Sequence, residues 1–166
     1  RIGHDLALCN PEQDASDRAW SARGGYVEGF DAQFDPHGFA IADDVLRGLD
    51  PLVTWSLSAA QQAMGSLSQA TKARTGVIFG NLAYPSRALS LYAEDTWLQA
   101  LGDAHDHALA EAATVQSVDA QNRFLSGLPA QLIAKALGLG GIAHALDAAC
   151  ASSLYGLKLA CDALPD

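Results

Sequence analysis

Apolar side chains recur at Val53, Leu57, Ala60, Met64 and Leu67, the spacing of one face of an α-helix. Asp50 followed by Pro51 supplies its start. The aspartate can accept a bond from a free backbone N–H, and proline at the first helical position gives up a donor that would have no partner there. The pattern predicts a helix of about five turns at most, with one face on the core. TGVIFGN at 75 to 81 is a short β-branched and aromatic run closed by Gly76 and Gly80, as expected of a buried central strand. Leu125, Leu128, Leu132 and Ala136 mark a second helix between Phe124 and Leu137. Pro129 either kinks it or stands in its true first turn, and Gly138 is placed to end it. Residues 142 to 149, IAHALDAA, are small or apolar apart from His144 and Asp147, the composition of a strand covered on both faces. From Cys150 onward Leu154, Leu157, Cys161 and Leu164 recur at helical spacing on the face that also carries Cys150. Strand, tight turn, cysteine, helix is the implied order.

Elsewhere the pattern is weaker. Residues 1 to 23 lack sustained periodicity and carry Pro11, Asp14, Ser16 and Asp17, so an irregular, mostly exposed lead-in is expected. GGYVEGF at 24 to 30 alternates after paired glycines, which suggests a short strand or extended piece, followed by the turn-rich DAQFDPHG. Residues 86 to 119 read as helix or loop, Ala-rich with a polar middle.

A chain of 166 residues with 49% hydrophobic content can bury a sizeable core and on length alone would be one domain. Its net charge of −9 argues against a nucleic-acid partner, because ten scattered Lys and Arg make no basic patch for phosphates. No stretch approaches the length of a membrane span, and no basic-then-apolar signal opens the chain; a cytoplasmic location is the expectation. The three cysteines, at 9, 150 and 161, form neither a disulfide framework nor a paired metal motif.

Cys150 is the residue with chemistry. A thiol in the first turn of a helix feels unpaired backbone N–H groups and the positive end of the helix dipole, which favours the thiolate. The same N–H groups can steady a developing oxyanion. Cys161, further along the stripe, reads as packing, and Cys9 has no evident chemical partner. His105 and His107, with Asp103 and Asp106 nearby, are a solvated polar face, since histidines two apart on a helix diverge. Asp147 would disfavour a nearby thiolate and reads as a hydrogen-bonding residue of the turn. Ser152 and Ser153 have no visible base and suit early helix positions where hydroxyls satisfy backbone N–H groups. Asn122 is read equally as a helix cap or a substrate contact. Gly76 and Gly80 lack the Lys and Ser/Thr of a phosphate loop.

The segment Asp147-Ala148-Ala149-Cys150-Ala151-Ser152-Ser153-Leu154 resembles the active-site segment of β-ketoacyl synthases, the condensing enzymes of fatty-acid and polyketide assembly. GGYVEGFDAQFDP at 24 to 36, LDP at 49 to 51 and LGLGG at 137 to 141 resemble the same family in the same order. DAACASSLY, with Tyr155, looks most like the iterative multidomain synthases that make polyunsaturated fatty acids or related long-chain glycolipid and polyketide chains. The resemblance implies an α/β, thiolase-like layered αβαβα fold, of which residues 1 to 166 would be the first half, a fragment: a lead-in at 1 to 23, then a half-domain at 24 to 166 ending in the nucleophile helix. It implies an acyltransferase. Cys150 would hold an acyl thioester, its backbone N–H would be one oxyanion donor, and a malonyl-type extender on acyl carrier protein would be decarboxylated and condensed with it. No metal or directly bound cofactor is implied, only the carrier protein's phosphopantetheine arm. The implied partners are acyl carrier protein, other synthase domains in the same polypeptide or complex, and a second copy paired through the 142 to 148 strand. Two catalytic histidines and a lysine would come from the second half, beyond Asp166, so this piece alone would be inactive. His144 is then a buried, hydrogen-bonded residue near the dimer strand rather than the base for Cys150. Residues 86 to 119 would be variable structure around the substrate entrance and dimer surface. Two other readings stay open: a thiolase-superfamily enzyme acting on coenzyme A thioesters, against which residues 24 to 51 speak, and a non-condensing homologue that binds or transfers acyl chains.

Overall fold

A computed structural model describes residues 25, 27–82, 86–101 and 119–164. The expectations for 1 to 23, including Cys9, and for Asp103, His105, Asp106 and His107 lie outside the described residues. The chain divides between Phe34 and Asp35 into two units. In the first, Gly25, Val27 and Glu28, where a short strand or extended piece was expected, lie in neither helix nor strand, and α1 (Phe30–Gln33) falls where a turn-rich stretch was expected. Gly29 at φ 74 breaks the extended run, a turn in which glycine is unstrained. Phe30 and Phe34 then stack with ring centroids 5.8 Å apart.

The second unit holds α2 (Asp43–Gly48), α3 (Pro51–Met64), α4 (Gln69–Lys72), β1 (Val77–Gly80), α5 (Arg87–Leu101), α6 (Leu128–Leu137), β2 (Ala143–Leu146) and α7 (Ser152–Asp162). α3 begins as its sequence predicts: the Asp50 carboxylate accepts the Leu52 N–H at 2.9 Å, with Pro51 in the first turn. It stops at Met64 because Gly65 departs from helix at φ 51, so Leu67 is outside the helix its spacing suggested. α4, unforeseen, is capped by Ser68, whose hydroxyl accepts the Thr71 N–H at 3.1 Å.

Pro129 lies in the first turn of α6 and does not kink it. Leu125 is buried in the turn ahead of α6, after a 3₁₀ segment at Ala120–Phe124. Gly138 ends α6 at φ 67, with its N–H on the Lys135 carbonyl and that of Leu139 on the Ala134 carbonyl. This is the six-to-one and five-to-two pairing of a Schellman ending, which a β-carbon would strain.

β1 and β2 pair in parallel, Val77 opposite Ala143 and Gly80 opposite Leu146. α7 packs on β1, α6 packs on both strands, and α3 packs on α6. Gly156 of α7 faces Ile78, and alternation along β1 directs Val77 and Phe79 to the opposite face. The core is made of Leu46 from α2, Val53 and Leu57 from α3, and Ala130 and Ile133 from α6, and α3 packs on α6. β1 and β2 were expected to be buried, yet most of their residues are only half-buried. Among the described residues this sheet has two strands, so each has one free edge.

On the surface of this unit Asp35 Oδ1 accepts the His37 N–H at 3.0 Å and lies 2.6 Å from His37 Nδ1. The bond from the backbone of His37, then that from its ring, holds the Asp35 carboxyl below its ordinary pKa. The bond to Asp35, reinforced by the charges of Asp35 and Asp43, raises that of His37. The His37 contribution is present below the ordinary imidazole pKa and is lost as pH rises through the raised value. That of Asp35 is present above the ordinary carboxylate pKa and is lost as pH falls through the lowered one. The pair is therefore intact between these two titrations, and both groups being exposed, its effect on stability is small. An NMR titration of His37 is expected to give a midpoint above that of a free imidazole, which Asp35→Asn lowers. A midpoint indifferent to that substitution would exclude Asp35 as the cause.

Candidate active site

β2 ends at Leu146, and the chain turns through Asp147 and Ala148 into a 3₁₀ segment, Ala149–Ala151, that leads directly into α7. Cys150 occupies the middle of that segment and is exposed. The strand, turn, cysteine, helix order read from the sequence is therefore present, with one residue between the thiol and the first residue of α7.

Ala149 carries φ 48, the left-handed region, where a side chain costs about 1–2 kcal/mol. Both of its backbone polar groups are held by side chains. Asp147 Oδ1 accepts the Ala149 N–H at 2.9 Å, and the Ser152 hydroxyl donates to the Ala149 carbonyl at 2.8 Å. The same hydroxyl accepts the Ala148 N–H at 3.0 Å. Asp147 and Ser152 thus serve the turn as their sequence positions suggested. Ser153, by contrast, is exposed.

Ser152 is buried because β1 approaches it closely: a β-carbon on Gly80 would meet Ser152 backbone atoms at 3.1 Å. Asn81, just past β1, donates its N–H to the Leu146 carbonyl at 2.9 Å and its side-chain amide to the Leu125 carbonyl at 2.7 Å. The end of β1 therefore supports the Cys150 turn from beneath and fastens the end of β2 to the approach of α6. Sequence reasoning took Gly80 as a strand boundary and passed over Asn81; a buried amide leaves no periodic signal.

Three expectations are corrected. The leucine stripe of α7 does not face the sheet: Leu154, Leu157 and Leu164 are 70%, 63% and 70% exposed, and Cys161 is exposed as well, so packing does not explain it here. The face laid on β1 is the small one, Ser152, Gly156 and Ala160, because Ile78 and Gly80 leave room only for short side chains. His144 is exposed rather than buried, on a strand with one neighbour. Asn122 neither caps a helix nor faces a substrate. It is fully buried, accepts the Asp50 N–H at 2.8 Å and donates to the Gly48 carbonyl at 3.0 Å, while Asp119 does the capping through the Gln121 N–H.

The family described as "Beta-ketoacyl synthase, N-terminal domain" matches residues 4–166. The chain belongs to the β-ketoacyl synthase family. It is 30% identical over 158 residues to the PKS-NRPS hybrid synthetase acdB of Aspergillus candidus, a match covering 95% of this chain and 6% of that protein. It is 32% identical over 117 residues to a polyunsaturated fatty acid synthase of Thraustochytrium sp., covering 65% of this chain and 6% of that one. The solved structure "PfaC Keto synthase-Chain length factor" superposes with a TM-score of 0.73 at 34% identity, over 95% of this chain and 18% of its own. The fold is accordingly the thiolase-like α/β fold of ketosynthases, and these residues correspond to its N-terminal domain. The chain spans 6% of the length of each of the two synthases. Among the described residues no helix is long and apolar enough to cross a membrane.

Proposed function

We propose that Cys150 is the acyl-carrying nucleophile of a ketosynthase that performs decarboxylative condensation. The observation that supports this most directly is an exposed thiol on a left-handed turn at the head of α7, in a chain of the ketosynthase family. The Cys150 thiolate attacks the thioester carbonyl of an acyl group on the phosphopantetheine arm of acyl carrier protein. The carrier thiol leaves and a Cys150 thioester forms. A malonyl-type extender on a second carrier then loses carbon dioxide, and the carbanion that remains attacks the Cys150 thioester. A carbon–carbon bond forms and the Cys–acyl bond breaks. The thiolate is regenerated, and the β-ketoacyl chain stays on the extender's carrier. In both steps negative charge develops on the acyl oxygen, where the Cys150 N–H is one donor.

A homodimer is part of the same reading. β2 has a strand neighbour on one edge only among the described residues, and such an edge presents a row of backbone N–H and C=O groups on which another strand can pair. The expected seam is the 142 to 148 segment.

The test uses the intact protein that carries this chain, with acyl and malonyl groups on acyl carrier protein. The expected products are a β-ketoacyl thioester two carbons longer and one carbon dioxide per condensation, read by mass spectrometry. An acylated Cys150 without carbon–carbon bond formation would refute condensation in favour of acyl transfer alone, and elongation from coenzyme A thioesters without carrier protein would favour a thiolase-type reaction.

A further inference from the structure

We infer that Ser152 is a positioning residue that sets the direction of the Cys150 N–H; this rests on the proposed role of Cys150. The peptide unit joining Ala149 to Cys150 contains the Ala149 carbonyl and the Cys150 N–H. The described chain has no cis peptide bond, and in a trans unit these two groups point in opposite directions across one plane. Whatever holds the carbonyl therefore aims the N–H.

Ser152 holds the carbonyl twice: its hydroxyl lies 2.8 Å from the Ala149 oxygen, and its backbone N–H donates to the same carbonyl. That hydroxyl is itself fixed, because it accepts the Ala148 N–H at 3.0 Å and has only 7% of its residue exposed. One atom thus donates to the Ala149 carbonyl and accepts from the Ala148 N–H, which needs a hydroxyl and no other small side chain. Asp147 fixes the other side of Ala149 through its N–H at 2.9 Å, so the left-handed residue is clamped at both ends. With the carbonyl drawn toward the buried serine beside Gly80, the Cys150 N–H is turned the opposite way, toward the exposed side of the turn. No described backbone carbonyl accepts it. An unpaired N–H with a fixed bearing is what stabilisation of an acyl oxyanion requires.

The role separates from a general structural one by chemistry. Acyl transfer to Cys150 passes through an oxyanion, whereas alkylation by iodoacetamide displaces iodide and develops no charge on an acyl oxygen. In the intact protein, Ser152→Ala is expected to slow acyl loading by roughly threefold to tenfold, well below the full loss of one oxyanion donor, because the Cys150 N–H is kept and the Ser152 backbone N–H still holds the Ala149 carbonyl. The rate of Cys150 alkylation by iodoacetamide should stay within about twofold, as no group that touches the thiol is changed. Ser153→Ala, at the exposed neighbour, should leave both rates unchanged. Should the alanine variant not fold, Ser152→Thr carries the test, since it keeps the hydroxyl and should retain loading. Loading undiminished in Ser152→Ala, loading and alkylation falling together, or loading lost in Ser152→Thr would each overturn the assignment. Failure of the nucleophile assignment reads differently: it would appear as persistent loading in Cys150→Ala.

Discussion

Cys150→Ala in the intact protein is expected to abolish acyl loading from acyl carrier protein, a fall on the order of a thousandfold or more, as when a covalent nucleophile is removed. The substitution is a clean one for this site. Cys150 is exposed within its 3₁₀ segment, so alanine opens no cavity in the core. Alanine also keeps the backbone N–H that the Ser152 hydroxyl aims, so the oxyanion donor survives and the loss reports the thiol. Thermal unfolding should stay within about 0.5 kcal/mol of the parent. Cys161→Ala is the control: that thiol is exposed on α7 and belongs to no part of the turn. Radiolabelled acyl carrier protein followed by gel autoradiography measures both variants, and undiminished labelling of Cys150→Ala would refute the nucleophile.

Asn122→Ala should produce the largest loss of stability, about 2–4 kcal/mol, without touching the thiol. Asn122 is fully buried and bonds both the Asp50 N–H and the Gly48 carbonyl. Alanine strands both of these backbone groups and the space the amide filled. The consequence reaches α3, because Asp50 is its N-cap and Gly48 ends α2. Arg123→Ala is the comparison. Its guanidinium lies 4.5 Å from the centre of the exposed Phe124 ring, and an exposed contact of this kind contributes about 0.5–1 kcal/mol. Denaturant unfolding of the intact protein checks both, and equal losses at the two positions would exclude the buried amide as a tie between elements.

The elements legible in the sequence were those whose signals are local. Asp50-Pro51 starts α3 by chemistry confined to one turn, and Pro129 and Gly138 bracket α6 in the same way. The Cys150 turn was legible for a further reason: the run from Asp147 to Leu154 places its own supports, Asp147 and Ser152, within a few residues of Cys150. What misled was periodicity taken as direction. The leucines of α7 do lie on one face of a helix, but helical spacing says only that a face exists, not which neighbour it meets.

Local chemistry alone therefore decided where the helices start and stop, that a cysteine heads the last of them, and which side chains hold its turn. Tertiary contact decided the rest. Gly80 admits Ser152 and the small face of α7 to β1, leaving the leucines outward; Asn122 and Asn81 become ties only when segments distant in the chain are brought within hydrogen-bond reach. The physical reason is that caps and turns are closed by residues a few positions apart, whereas the burial of a face or of an amide depends on the surface that arrives against it.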